Sequence, residues 1–392
     1  MGRYGFRQYC TREGELRMAT KQTKTSGKPF DFILFVTVLI LLAMGIVMVL
    51  SASSPSALAE SGNSYSYVSR QAVFAVLGIA LMLFISKIDY HEYSKFAGIA
   101  YIGSIIILAA VPLLGSSAKG ATRWLEIGGI RFQPSEIAKI ALIIFYANWF
   151  TKNKNNLKDL VQGFIKPFLF LLPIAIILVI FQDHLSVTII IVLVVSIMML
   201  MAGTKLRYFV TLGSIGVVGA SGVLFALAKF TEKGAYRISR IITFLNPWSD
   251  PTGDGWQIIQ SLYAIGSGGI FGVGLGESKQ KFLYIPEPHN DFIFSILAEE
   301  LGFIGCAVVI VLFAIFIWRG LLVAMKAPDM FGSLVAVGIT SLIGLQAIMN
   351  MAVVTASMPN TGIPLPFFSY GGTALVILLC SVRHTIKYFE KL

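Results

Sequence analysis

Along the 392-residue chain, long apolar runs alternate with short polar breaks almost from end to end. Runs of about 17 or more apolar residues match the length an α-helix needs to cross a bilayer core. They predict ten spans, at about 30–51, 72–88, 96–114, 136–150, 164–181, 185–202, 208–229, 292–318, 331–357 and 367–388. The two-residue alternation of a membrane β-barrel is absent. The expected fold is therefore an all-α polytopic membrane protein of about ten transmembrane helices, with a large outer loop between the seventh and eighth. A basic tail, 1–29, precedes a membrane domain, 30–392, whose outer loop covers 230–291. Phe30–Leu50 is too long for the core of a cleavable signal and reads as a retained first helix.

Composition supports this pattern. Hydrophobic residues make up 56% and charged residues 13%, with mean hydropathy +0.78, which no soluble domain of this size accommodates. The net charge of +11 taken alone would suit nucleic acid. Its distribution argues for membrane topology and anionic lipid instead. With the N-terminus inside, cytoplasmic segments carry 20 Lys/Arg and outer segments ten, with Lys139 inside a span. That bias puts both termini in the cytoplasm. Six of the ten outer cations fall in one loop: Lys229, Lys233, Arg237, Arg240, Lys279 and Lys281. Lys119, Arg123 and Arg131 share the 115–135 loop. Two readings stay open: long loops escape the charge rule, or these cations bind phosphate at the outer surface. Cys10, Cys306 and Cys380 make neither a disulfide framework nor a metal spacing.

The chemistry-bearing residues sit in the polar breaks. Trp124 and its apolar neighbours suit a segment lying in the headgroup layer. Pro134-Ser-Glu136 opens a helix, and Glu136 and Lys139, three apart, share a face. They fit a functional site and a structural pair equally. Gly266 to Gly276 is glycine-rich without the strand–turn–helix context of a nucleotide loop; its backbone N–H groups suit a pyrophosphate. Asp291 stands where the eighth span begins, behind Pro286 and Pro288. It reads either as an acid favoured by the helix dipole or as a general base. The dipole and nearby cations pull its pKa down and burial pushes it up. At helical spacing Ser295 and Glu299 share the face of Asp291 and Glu300 points away. Glu299 is a buried acid that needs a partner, for which Lys139 is the candidate. His289 reads as proton carrier, metal ligand or turn residue.

Four blocks carry a resemblance: Arg123-Trp-Leu with Gln133-Pro-Ser-Glu-Ile-Ala-Lys139; Gly255 to Gly266; Gln280 to Glu300; and Thr361-Gly-Ile-Pro-Leu-Pro-Phe-Phe-Ser-Tyr-Gly-Gly372. In this order they resemble the SEDS family (shape, elongation, division and sporulation) from about residue 30 onward, nearer its FtsW/SpoVE branch than RodA. The resemblance implies a ten-helix peptidoglycan glycosyltransferase that polymerises lipid II outside the cytoplasmic membrane, for division or spore envelope synthesis. The family's essential acid falls on Asp291 and its essential tryptophan on Trp124. Glu136, Lys139, Lys281, His289 and Ser369 fall near the substrate cavity. Arg123 and Arg240 join this expected site as outer cations, and Glu299 as its buried acid.

The partners implied are lipid II, glycan on undecaprenyl diphosphate, a class B penicillin-binding protein and other division or sporulation membrane proteins; nucleic acid is not among them. A Mg²⁺ or Mn²⁺ ion suits the pyrophosphate, although the sequence holds no dedicated metal cage. The rival readings are a lipid II flippase and a non-catalytic scaffold of the division machinery. Two stretches depart from the family pattern. Gln182-Asp-His-Leu-Ser-Val187 has lost a proline after Gln182, and Ser381 to Lys387 replaces a glycine-rich ending.

Overall fold

The computed structural model describes residues 31–211 and 243–386 except 119, 120, 254 and 283, together with 213, 214, 216, 219 and 222. The basic tail, Arg240, and most of the expected seventh span lie outside the described residues. The main elements among those described are α1 (Phe32–Ser61), α2 (Ser66–Ile85), α3 (His91–Leu114), β1 (Ser116–Ala118), β2 (Ala121–Ile127), β3 (Ile130–Phe132), α4 (Pro134–Lys152), α5 (Val161–Phe181), α6 (Leu185–Ala202), α7 (Trp256–Gly268), α8 (Ile293–Lys326), α9 (Met330–Val354) and α10 (Gly372–Ile386). Seven of them (α1, α2, α3, α5, α6, α8 and α9) are long and apolar enough to cross a membrane.

The helix ends follow local chemistry. Asp31 caps α1 by accepting from Leu34 N at 3.0 Å, and Asp329 caps α9 by accepting from Gly332 N at 2.8 Å. Pro134 occupies the first turn of α4, where a missing N–H costs nothing. Gly62 (φ 68°) and Gly203 (φ 103°) end α1 and α6 in the left-handed region. Helix α1 runs ten residues beyond the expected span. Ser51, Ala52, Ser53, Ser56 and Ala57 are buried there, and small side chains let neighbouring helices approach. Helix α9 is the most enclosed span and packs on α8, α6 and α4, while α10 lies on α2 and α1 on α8.

The 115–135 segment, expected to lie in the headgroup layer, forms an antiparallel sheet in the order β1-β2-β3, which was not anticipated from the sequence. Gly128 (φ 60°) and Gly129 (φ 78°) form a two-residue turn between the paired Ile127 and Ile130. Positive φ at both positions matches the twist of the strands and calls for glycine.

Helix α8 is broken at Gly302 (φ 65°, ψ −164°). The strap that follows α7 inserts its backbone there. Val273 N donates to Glu299 O at 3.0 Å and Gly274 N to Glu300 O at 3.1 Å. Phe303 N and Ile304 N donate back to Gly269 O and Ile270 O, at 2.9 and 3.2 Å. The strap thus satisfies the groups that the broken helix frees, a strict requirement away from water. The glycine-rich run serves this close backbone approach. The 273 and 274 amides, expected to be open to a pyrophosphate, are used inside the protein.

Candidate active site

Asp291 is half-buried just before α8 and is held through its neighbours. Asn350 Nδ2, from α9, donates to Asp291 O and Ile363 O, both at 2.7 Å. A Cβ on Gly362 (φ 60°) would lie 3.4 Å from Asp291 Oδ2, so the carboxylate rests against a bare turn. Ser369 Oγ donates to Asn290 O at 2.7 Å while accepting from Leu365 N at 2.7 Å. Tyr370 N donates to His289 O at 2.9 Å. The His289 ring packs beside Tyr67 and Tyr370, with centroids 4.7 and 5.7 Å away. Gln71, fully buried in α2, accepts from Gly371 N through Oε1 and donates to Ser369 O through Nε2. The expected neighbours His289 and Ser369 therefore do converge on the Asp291 turn, chiefly as its supports.

A second polar group lies at the starts of α4 and α6. Lys139, only 2% exposed, pairs with Glu136 at 2.8 Å. The stem of Lys139 borders a small apolar cavity lined by Leu142, Ile143, Ile191, Val194 and Leu342. His184 Nε2 lies 2.8 Å from Gln133 Nε2. Arg123, on β2, donates to Gln182 O and Asp183 O at 3.2 and 2.6 Å. Asp183 takes φ 49°, which a proline could not adopt, so the lost proline has a structural consequence. The Arg131 guanidinium sits 5.4 Å from the Trp124 ring centroid, a cation–π distance. Ser186 Oγ donates to Thr361 O, next to Gly362, and so ties this group to the Asp291 turn.

Burial, followed by the charges of Arg123 and Lys139, lowers the pKa of His184 to about 3. Its unfolded value is about 6.5, so the fold favours the neutral ring. Stability from this source is complete above about pH 6.5 and is lost as pH falls toward 3. Between pH 7.5 and 5.5 the loss is expected to be about 1 kcal/mol. Thermal unfolding in detergent at the two pH values checks it: His184→Gln should remove that part of the drop, and an equal drop in both proteins would contradict the assignment.

A third group is buried beside the α8 break. Lys281 Nζ pairs with Glu300 Oε1 at 3.0 Å and donates to Ser51 Oγ at 3.1 Å and to Gly276 O. Ser51 Oγ donates to Glu300 Oε1 at 2.6 Å. Glu299 accepts from Lys279 N at 3.0 Å, from Gln280 N at 3.3 Å and from Ser278 Oγ. One expectation is corrected here: Glu299 pairs with a turn rather than with Lys139. Glu300 is 1% exposed and takes its partners from Lys281 and Ser51. Lys281 directs its charge at Glu300. Arg123 likewise directs its donors at backbone carbonyls.

Gln71, His184, Asn350 and Ser51 were not anticipated. The signal for Asn350 was present: a buried amide inside a membrane span needs partners and marks a junction.

Comparison with known proteins identifies the family. The sequence profile of the cell cycle protein family that unites FtsW, RodA and SpoVE matches residues 32–386. Stage V sporulation protein E of Bacillus subtilis (strain 168) is 41% identical over 367 residues, 93% of this chain and 97% of that protein. A probable peptidoglycan glycosyltransferase FtsW of Geobacter sp. (strain M18) is 42% identical over 355 residues, 90% and 95% of the two chains. Among solved structures, a chain of a peptidoglycan synthase complex that coordinates polymerization and crosslinking aligns with TM-score 0.76 at 26% identity, covering 92% of this chain and 97% of that one. The rod shape determining protein RodA of Thermus thermophilus aligns with TM-score 0.65 at 25% identity, covering 93% and 98%.

Proposed function

Because the chain belongs to the cell cycle protein family of FtsW, RodA and SpoVE, we propose that it polymerises lipid II into glycan strands, with Asp291 as the acid that serves the acceptor hydroxyl. It is a multi-pass membrane peptidoglycan glycosyltransferase, and its work is division or spore envelope synthesis. The donor is the growing strand on undecaprenyl diphosphate. The GlcNAc 4-hydroxyl of an incoming lipid II attacks the donor's anomeric carbon. The new glycosidic bond forms with inversion as the bond to the diphosphate oxygen breaks. The hydroxyl proton passes to Asp291 or is held in line by it. The leaving diphosphate carries the electron pair away. The positive charge of the outer loops, to which Arg131 and Arg240 contribute, stabilises it. Trp124 lines the entry.

The observation that carries this reading is the construction around Asp291. A half-buried carboxylate rests on a glycine turn, and hydrogen bonds from α9 and the 361–371 loop fix its backbone. Such a group is pre-positioned for one task. The fixed partners of Lys139 and Glu300 also argue against a flippase, whose polar path would need these side chains free. The reaction is assigned to the outer face, with both termini cytoplasmic, on the strength of the charge bias. A class B penicillin-binding protein fits as the crosslinking partner, because the solved relative with TM-score 0.76 belongs to a synthase complex. Among the described residues no three His, Cys, Asp or Glu side chains converge. A Mg²⁺ or Mn²⁺ ion fits the proposal as a companion of the pyrophosphate oxygens.

Purified protein reconstituted with fluorescent lipid II tests the reading. Polymer resistant to transpeptidase inhibitors is the expected product. Transbilayer movement of lipid II without polymer would replace this reading with the flippase.

A further inference from the structure

We propose that Lys281, Glu300 and Ser51 form a latch that positions Asp291, acting on the rate of glycosyl transfer without touching substrate; this rests on the polymerase reading above. The break at Gly302 separates the outer piece of α8, 293–301, from the rest of the helix. That piece carries Asp291 at its mouth and Glu299 and Glu300 at its inner end, about 12 Å away at 1.5 Å per residue. Its own helical hydrogen bonds do not continue across the break; its inner end is held by the strap and by the latch.

The latch ties three elements together. Lys281 comes from the loop leading to Asp291, Glu300 from the outer piece of α8, and Ser51 from α1. All three side chains are buried, so the Lys281–Glu300 charge pair is little screened by water. The loop between Lys281 and Asp291 is stiff. It holds Pro286 and Pro288, and its turns are closed by Ile285 N to Gln280 O and Asn290 N to Glu287 O, both 3.1 Å. Trp256 Nε1 adds a tie to Tyr284 O at 2.7 Å. Release of Lys281 at one end therefore transmits to Asp291 at the other. The inner end of the outer piece loses its tie to α1 at the same time. A displacement of about 1 Å at a reacting group costs about 10²-fold in rate.

The test is steady-state lipid II polymerisation by the full chain. Lys281→Met is expected to lower kcat at least tenfold with KM for lipid II within threefold of wild type. Lys281→Arg, which keeps the charge and the donors, should recover kcat to within threefold. A Lys281→Met protein with more than half the wild-type kcat would overturn the proposal. So would a rise in KM at constant kcat, which would mean that Lys281 meets substrate directly, or failure of Lys281→Arg to recover kcat. If Lys281→Met does not accumulate folded, Ser51→Ala decides, because it removes one arm without stranding a charge. A severalfold fall in kcat at constant KM supports the latch, and unchanged kcat overturns it. Wild-type protein that makes no polymer would instead refute the polymerase reading itself.

Discussion

Asp291→Asn is expected to lower lipid II polymerisation by about 10²–10⁴-fold, the range usual for loss of an acid–base group. The amide has the size of the carboxylate and meets the same Gly362 turn. The contacts from Asn350, Ser369 and Tyr370 go to backbone carbonyls at 289–291, which the substitution leaves in place. The folded protein should therefore accumulate normally and keep its melting temperature within a few degrees. Loss confined to kcat would identify an interaction made in the transition state, whereas a rise in KM alone would identify binding. A variant retaining a tenth or more of wild-type activity would remove Asp291 from the chemistry.

The second large effect concerns the fold that carries the acid. Gly302→Ala is expected to prevent accumulation of folded protein. Its backbone lies in a region open essentially to glycine alone. An added Cβ would fall 2.3 Å from Gly272 N and 2.6 Å from Ile270 O, both backbone atoms that have no rotamer to escape into. The four hydrogen bonds between strap and helix would be displaced together, where water is scarce to replace them. The combined cost is on the order of 5 kcal/mol, comparable with the whole stability of many domains. Gly266→Ala is the control, since a Cβ there meets nothing within 4 Å. Size-exclusion profiles and melting curves of the two variants compare them directly. Equal yield and melting would refute the account of the break.

The hydrophobic pattern made the membrane helices legible because span length and apolar content are set by the bilayer itself. Span limits were less legible where packing, rather than hydropathy, decides. The Ser- and Ala-rich end of α1 looks like a loop, yet its small side chains are buried against other helices. The Ile127-Gly-Gly-Ile130 hairpin carried a recognisable turn signal, but interfacial composition masked it. At the site, Asp291 stood out by its place at a helix mouth among prolines, with His289 beside it, whereas Ser369 was reached only through the family resemblance. The pairing of buried charges was not legible. Lys139 was the candidate for Glu299 only because a buried acid needs a partner. The break at Gly302 lets the strap supply partners from 276–281 instead, a contact that no local periodicity reports.

The central claim is that this chain itself forms glycosidic bonds from lipid II, and product stoichiometry tests it most directly. Purified wild-type protein is incubated with labelled lipid II, and undecaprenyl diphosphate release is measured against disaccharide incorporated into glycan. The account predicts one undecaprenyl diphosphate released per disaccharide added, β-configured linkages in the product, and neither signal from Asp291→Asn. Lipid II recovered intact from folded wild-type protein, or equal polymer from Asp291→Asn, would contradict it.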